Sequence, residues 1–211
     1  VTTLVLTRHG HVPGIAPERF RGQIELELSP TGMAQAEAVA ARIAGRWQPS
    51  AIYTSPLGRC VATGAKIAAA AGCAAQAHPA LADIHYGDWT WKTHEAAQAE
   101  HGARYAQWRA APHRVRFPGG ESLQDVAVRA ADLMRHVAEA HEGQTVVLVG
   151  HDSFNRVLLI HLLDLPLSAY WNIGQDPCNL TVLEWAGTGP AKLLRLNDTG
   201  HTEHLPPAPP A

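Results

Sequence analysis

The chain has 211 residues, 46% of them hydrophobic and 17% charged. That length and composition describe one globular domain with a sizeable core and exclude a disordered chain. Seventeen Lys and Arg against 19 Asp and Glu leave a formal charge of −2, which argues against a broad basic face for nucleic acid or anionic lipid.

Residues 3–7 form a short apolar run, read as a strand. Residues 10–29 carry Pro13, Gly14, Pro17 and Gly22 and read as a loop. Ser29-Pro30 looks like an N-cap with Pro at the first helical position, and the helix runs through MAQAEAVAARIAGRW. Residues 51–54 read as a second strand, and Ser55-Pro56 as the opening of a second helix that ends near Ala71 before Gly72. Residues 74–78 suggest a third strand. A loop rich in aromatics (Tyr86, Trp89, Trp91) follows, then two helical segments within residues 93–111.

Phe117-Pro118-Gly119-Gly120 breaks the chain, and Ser122 with Asp125 matches a capping box that starts a long helix ending near Gly143. Residues 145–149 read as the clearest buried strand and residues 154–163 as helix, with closing strands at 180–185 and 192–196. Residues 1–205 are expected to form one domain and residues 206–211 a Pro-rich, extended tail. Three widely spaced cysteines (Cys60, Cys73, Cys178), without a C-x-x-C pair, suggest neither a disulfide framework nor a zinc knuckle. The apolar runs fall far short of the roughly 20 residues of a membrane span, and VTTLVLTRHG lacks the pattern of a signal peptide. The expectation is a soluble cytoplasmic protein.

Strands alternating with helices imply a mostly parallel sheet covered on both faces, an α/β/α sandwich. Right-handed crossovers then bring the C-terminal ends of the strands to one rim, where ligands bind. Arg8 and His9 follow the first strand, Arg59 lies one turn past the second, and His151 and Asp152 follow the strand at 145–149. Asp83 and His85 sit in a loop placed to fold over that rim. Two arginines and two histidines in one cleft suggest a phosphate ester as ligand. Arginine matches phosphate oxygens bidentately, histidine serves as nucleophile or donor, and a carboxyl supplies the proton for a leaving alcohol.

The pairs His9–His11 and His201–His204 lack a carboxylate at a ligand spacing, so no metal site is expected. His78, His94, His101, His113, His136, His141 and His161 are read as surface or packing residues, and Arg129 as structural.

These segments resemble the histidine phosphatase superfamily, which includes the cofactor-dependent phosphoglycerate mutases. The resemblance is carried by LTRHG, RGQIELELSPTGMAQAEAVA, YTSPLGRCVATGAKIA, LADIHYGDW, FPGGESLQDVAVR and VVLVGHDSFNRVLL, in order from residue 4 to about 160. It implies a phosphoglycerate mutase-like three-layer fold, with His9 as the nucleophile that takes the phosphoryl group. Arg8, Arg59 and His151 would clamp the phosphate, and Asp83, where many members have Glu, would protonate the leaving oxygen. Two guanidiniums and an imidazolium would neutralise charge without Mg²⁺ or another cofactor.

Where many members carry Glu or Gln after R-H-G, and Asn a few residues on, this chain has His11 and Ile15. The mutases' H-G-N is His151-Asp152-Ser153 here. Both departures, with the short chain, favour a metal-independent phosphatase of a small phosphorylated metabolite. The alternatives are a phosphoglycerate mutase or a non-catalytic phospho-ligand binding module. His11, Arg19 and Arg21 are candidates for phosphate or for a second anionic group on the substrate, and Asn155, Arg156 and Asn179 for the pocket wall. No nucleic acid or membrane partner is implied, and a homodimer is compatible with the sequence.

Overall fold

The computed structural model describes residues 1–15 and 17–207. One six-stranded sheet has the order β3-β2-β4-β1-β5-β6. Strands β1 (Thr2–Arg8), β2 (Ala51–Thr54), β3 (Ala75–Ala77) and β4 (Thr145–Gly150) run parallel. Strand β5 (Leu180–Trp185) runs antiparallel to β1, and β6 (Lys192–Asp198) antiparallel to β5. The mostly parallel expectation holds, with one consequence: the chain leading into β5 arrives at the rim where the parallel strands end.

Helices α1 (Pro30–Ala44) and α2 (Gly58–Ala71) cover one face of the sheet and α4 (Leu123–Ala140) and α5 (Asp152–Leu162) the other, where Ala97 and Trp108 of α3 (His94–Ala110) join the same core. The central strand β4 shows why both faces must be covered. Val146 and Leu148 point into the core beneath α4 and α5, while Val147 and Val149 point beneath α1 and α2. Near-continuous apolar sequence is what a strand buried on both sides requires. The stripe Val126, Ala130, Leu133, Met134 and Val137 seats α4, each large side chain contributing about 1.5–3 kcal/mol by burial.

Local signals place most helix ends. Ser29 Oγ accepts from Gly32 N at the start of α1, and Ser122 with Asp125 completes the capping box of α4. Gly72, at φ 66°, ends α2 in the left-handed conformation that glycine adopts without steric cost. The two helical segments expected within residues 93–111 are the two parts of α3, which meet at a kink at the non-helical His101 (φ −129°, ψ 35°). Two expectations need correction. The first helix stops at Ala44, three residues short of the expected Trp47. Ser55-Pro56 does not cap α2, which begins at Gly58 after an uncapped Leu57. Past Pro207 the Pro-rich tail lies outside the described residues. Among the described residues no helix is long and apolar enough to cross a membrane.

Candidate active site

The register of β1 against β4 pairs Arg8 with Gly150, so the next residue of each strand, His9 and His151, stand side by side. The His9 N–H donates to Gly150 O at 3.1 Å, and the two imidazoles meet edge to face with centroids 5.2 Å apart. His9 Nδ1 lies 2.7 Å from Gly10 O. A carbonyl only accepts, so Nδ1 carries the proton and Nε2 presents its lone pair. Burial, then Arg8, then Arg59 hold His9 well below the usual imidazole pKa, which keeps the ring neutral and nucleophilic.

His151 is fully buried. Arg59 Nε donates to its Nδ1 at 3.3 Å, which places the ring proton on Nε2, 2.8 Å from Ser55 Oγ. Burial, Arg59, His9 and Arg8 also depress His151. The fixed positive charge of the cradle therefore comes from guanidiniums and not from the imidazolium expected from the sequence. Ser55, expected to cap a helix, instead supports the second histidine.

Arg59 is fully buried on the first turn of α2. Its Nη1 and Nη2 donate to Ile24 O and Gly22 O, each at 2.7 Å, and fix the loop that follows His9. Arg8 Nη1 donates to Gln175 O at 2.6 Å, whereas its buried Nε has no partner among the described residues. Gln175 lies in the segment that precedes the antiparallel β5, so a search past parallel strand ends alone does not find it.

Asp83 is buried, with Oδ2 3.9 Å from Arg59 Nη2 and 4.0 Å from His151 Nδ1. Burial raises its pKa to about 6, against the pull of Arg59, the Ile84 N–H and Arg21. Arg129, reaching from α4, sets this loop: it donates to Ala80 O at 2.7 Å, to Ala82 O, and to Asp83 O at 3.1 Å. A structural role for Arg129 fits these bonds.

The remaining candidates divide. Arg21 is buried in the wall of a small cleft that Asp83 and Asp152 also line. Its neighbours Gly14 O and Arg19 O accept from Nη1, and burial together with Arg8 lowers its pKa to about 10. His11 Nδ1 lies 2.8 Å from Ser29 Oγ, which ties it to the start of α1, and burial, Arg8 and Arg21 depress its pKa. Arg19 stacks on Trp91 at the edge of the same pocket. Arg156 binds Asp152 and donates to Tyr170 O at 3.1 Å.

Asn155 and Asn179 brace the backbone, of strand β1 and of the segment before β5 respectively, instead of lining the pocket. Asn155 Nδ2 donates to Thr7 O at 3.2 Å, and Asn179 Nδ2 to Asp176 O at 2.7 Å. His94, read as packing, lines the pocket together with Glu18, a residue with no signal in the sequence pattern. His85 points away, its Nδ1 accepting from Gly87 N. Among the described residues no three His, Cys, Asp or Glu side chains gather as a metal-binding group.

The profile of the histidine phosphatase superfamily (branch 1) matches residues 4–199. The chain belongs to that superfamily.

This histidine phosphatase is 31% identical over 198 residues to phosphoserine phosphatase 1 of Hydrogenobacter thermophilus, covering 94% of this chain and 93% of that protein. It is 34% identical over 167 residues to the metal-independent phosphoserine phosphatase of Arabidopsis thaliana, covering 77% of this chain and 69% of that one. A mycobacterial glucosyl-3-phosphoglycerate phosphatase solved with VO3 superposes with a TM-score of 0.86 at 30% identity, over 94% of this chain and 100% of its own. The fold is the phosphoglycerate mutase-like three-layer sandwich, and the chain is a phosphoric monoester hydrolase of this superfamily.

Proposed function

We propose that the chain hydrolyses a small phosphomonoester in two steps at His9. In the first, His9 Nε2 attacks phosphorus, the P–O ester bond breaks, and Asp83 gives its proton to the departing oxygen. In the second, water attacks the phosphohistidine and Asp83 takes back a proton. The N–P bond then breaks, and inorganic phosphate leaves with His9 neutral again. Arg8 and Arg59 hold the phosphoryl oxygens, and His151, through its Nδ1, fixes the Arg59 guanidinium beside them. Positioning and charge neutralisation are what phosphoryl transfer most needs, and splitting the hydrolysis replaces one hard step with two easier ones.

The observation that carries this reading is the state of His9. It is neutral, pinned through Nδ1–H to Gly10 O, and set among Arg8, Arg59 and Arg21. Arg8 Nε, buried and without a partner among the described residues, supports the phosphate assignment, because such a donor is costly unless an acceptor meets it. Arg21 stands one step further out, where a second anionic group of the substrate would meet it. The phosphoserine and phosphoglycerate named for the relatives each carry a carboxylate beside the phosphate, which suits that position. A single domain over residues 1–205 fits the continuous sheet, and three free cysteines fit a reducing cytoplasm.

The test is turnover of an aryl phosphate in excess chelator. Activity that survives the chelator and disappears in His9→Ala is the expected result. Complete loss in chelator, restored by added metal, contradicts the proposal.

A further inference from the structure

The pocket beside Asp83 holds a pair of charges that the phosphoryl chemistry does not use. Glu18 forms part of its wall, with Oε2 3.3 Å from His94 Nε2. His94 is itself fixed: its ring lies 4.6 Å from that of Phe20, and its Nδ1 is 3.0 Å from Tyr105 Oη. With the tyrosine hydroxyl donating to Nδ1, His94 turns Nε2–H toward the carboxylate. One oxygen of Glu18 is thereby anchored, and no described residue bonds the other. His94, Arg21 and Arg8 all favour the ionised form of Glu18.

Arg21 lines the same pocket and is nine-tenths buried. Among the described residues only its Nη1 is hydrogen-bonded, and both acceptors are backbone carbonyls. Of the pocket's other two acids, Asp83 is the proton donor of the proposed reaction, and Asp152 is already occupied by Arg156 and lies 3.9 Å from Arg8. Among the described residues, the charges left to meet a ligand are therefore the buried Arg21 and, at the mouth of the pocket, the exposed carboxylate of Glu18. Trp108, Tyr170 and Trp171 also line the pocket, so the space left suits a compact group.

We propose that Glu18 determines specificity for a zwitterionic leaving group, a hydroxy amino acid whose carboxylate meets Arg21 and whose ammonium meets Glu18. The substrate class is then amino-acid phosphates in preference to hydroxy-acid phosphates of equal size. This rests on the hydrolase reading of the same site and narrows it.

O-phosphoserine and 3-phosphoglycerate are suitable probes, because they share the phosphate and the carboxylate and differ by an ammonium in place of a hydroxyl. The readout is the ratio of their kcat/KM values in the wild type and in Glu18→Gln. Removing a charge-assisted hydrogen bond between enzyme and substrate lowers kcat/KM by about tenfold or more. The wild-type ratio should therefore favour O-phosphoserine by at least about tenfold, and Glu18→Gln should bring it to within about threefold of one. A wild-type ratio near one overturns the proposal, as does a ratio that Glu18→Gln leaves unchanged while both rates fall. Aryl phosphate turnover, lost in His9→Ala, separates these outcomes from failure of the hydrolase reading itself. Calorimetric titration of His9→Ala with both probes reads the same preference without turnover, and equal affinity for the two overturns it as well.

Discussion

Asp83 Oδ2 stands 3.9 Å from the Arg59 guanidinium, yet burial outweighs that cation and lifts the Asp83 pKa to about 6. A carboxyl that is half protonated near pH 6 can give a proton to a leaving alkoxide and later accept one from water. The first step needs the protonated form. Above about pH 6 the rate of phosphoryl transfer to His9 should therefore fall by about tenfold per pH unit. Rapid-mixing measurement of alcohol release between pH 5 and pH 8.5 checks this, and a rate that keeps rising into alkaline pH contradicts it. Asp83→Asn should abolish that limb and lower the rate by about 10²–10⁴-fold.

The same shift has a cost in stability. The folded chain holds the Asp83 proton more tightly than the unfolded chain, whose carboxyl titrates near 3.8. Between the two values the folded state binds more protons, so stability falls as pH rises from about 4 to about 6 and stays lowered above. Asp83→Asn should raise unfolding free energy at pH 7.5 by up to about 3 kcal/mol and change it little at pH 4. Urea unfolding at both pH values gives the comparison. Equal stabilities at pH 7.5 would show that the buried carboxylate is better solvated than its surroundings suggest.

Ser55 Oγ is 2.8 Å from the buried His151 Nε2. Ser55→Ala leaves that N–H without its oxygen partner, a loss worth about 1–3 kcal/mol. We expect lower stability by about that amount, and a kcat/KM lower by about tenfold as His151 loses its fixed orientation. Ser55→Thr keeps the hydroxyl and should restore most of the activity. Equal loss in both variants would argue against the hydrogen bond as the cause.

How much of the site is legible in sequence follows from what sets each position. Arg8, His9 and His151 end or follow parallel strands, and Arg59 opens a helix after one, so the strand pattern alone brings them to one rim. Their gathering into one buried cradle is what the structure contributes. Ser55 reads as a cap because Ser-Pro is also a capping signal, and nothing local says that its hydroxyl faces a residue 96 positions away. Gln175 escapes a strand-end search because β5 runs antiparallel and enters at the rim. Glu18 and His94 meet only because the loop after His9 pairs with the chain before α3, Arg19 bridging to Thr93. That pairing is tertiary and leaves no periodic trace.

Gly32 gives a test of how α1 positions the nucleophile. A Cβ at Gly32 would stand 2.1 Å from His11 O, and one at Gly10 would stand 2.4 Å from Gly32 O. The two backbones touch directly, with Gly32 N also bound by Ser29 Oγ. Gly32→Ala must therefore push the His9–His11 segment away, at about 1–3 kcal/mol of stability. Activity should fall by more than the fraction unfolded, since a displacement of about 1 Å at a reacting atom costs about 10²-fold. Thermal unfolding together with kcat on the folded fraction separates the two effects, and unchanged activity per folded molecule would contradict the link.

The covalent intermediate is the most direct test of all. Enzyme mixed with a radiophosphate-labelled phosphomonoester and quenched in alkali within the first turnover should carry label on the peptide that contains His9. That label should be lost in acid and absent from His9→Ala. Label that never reaches His9 while product phosphate accumulates, or that sits on His151 instead, would contradict the account.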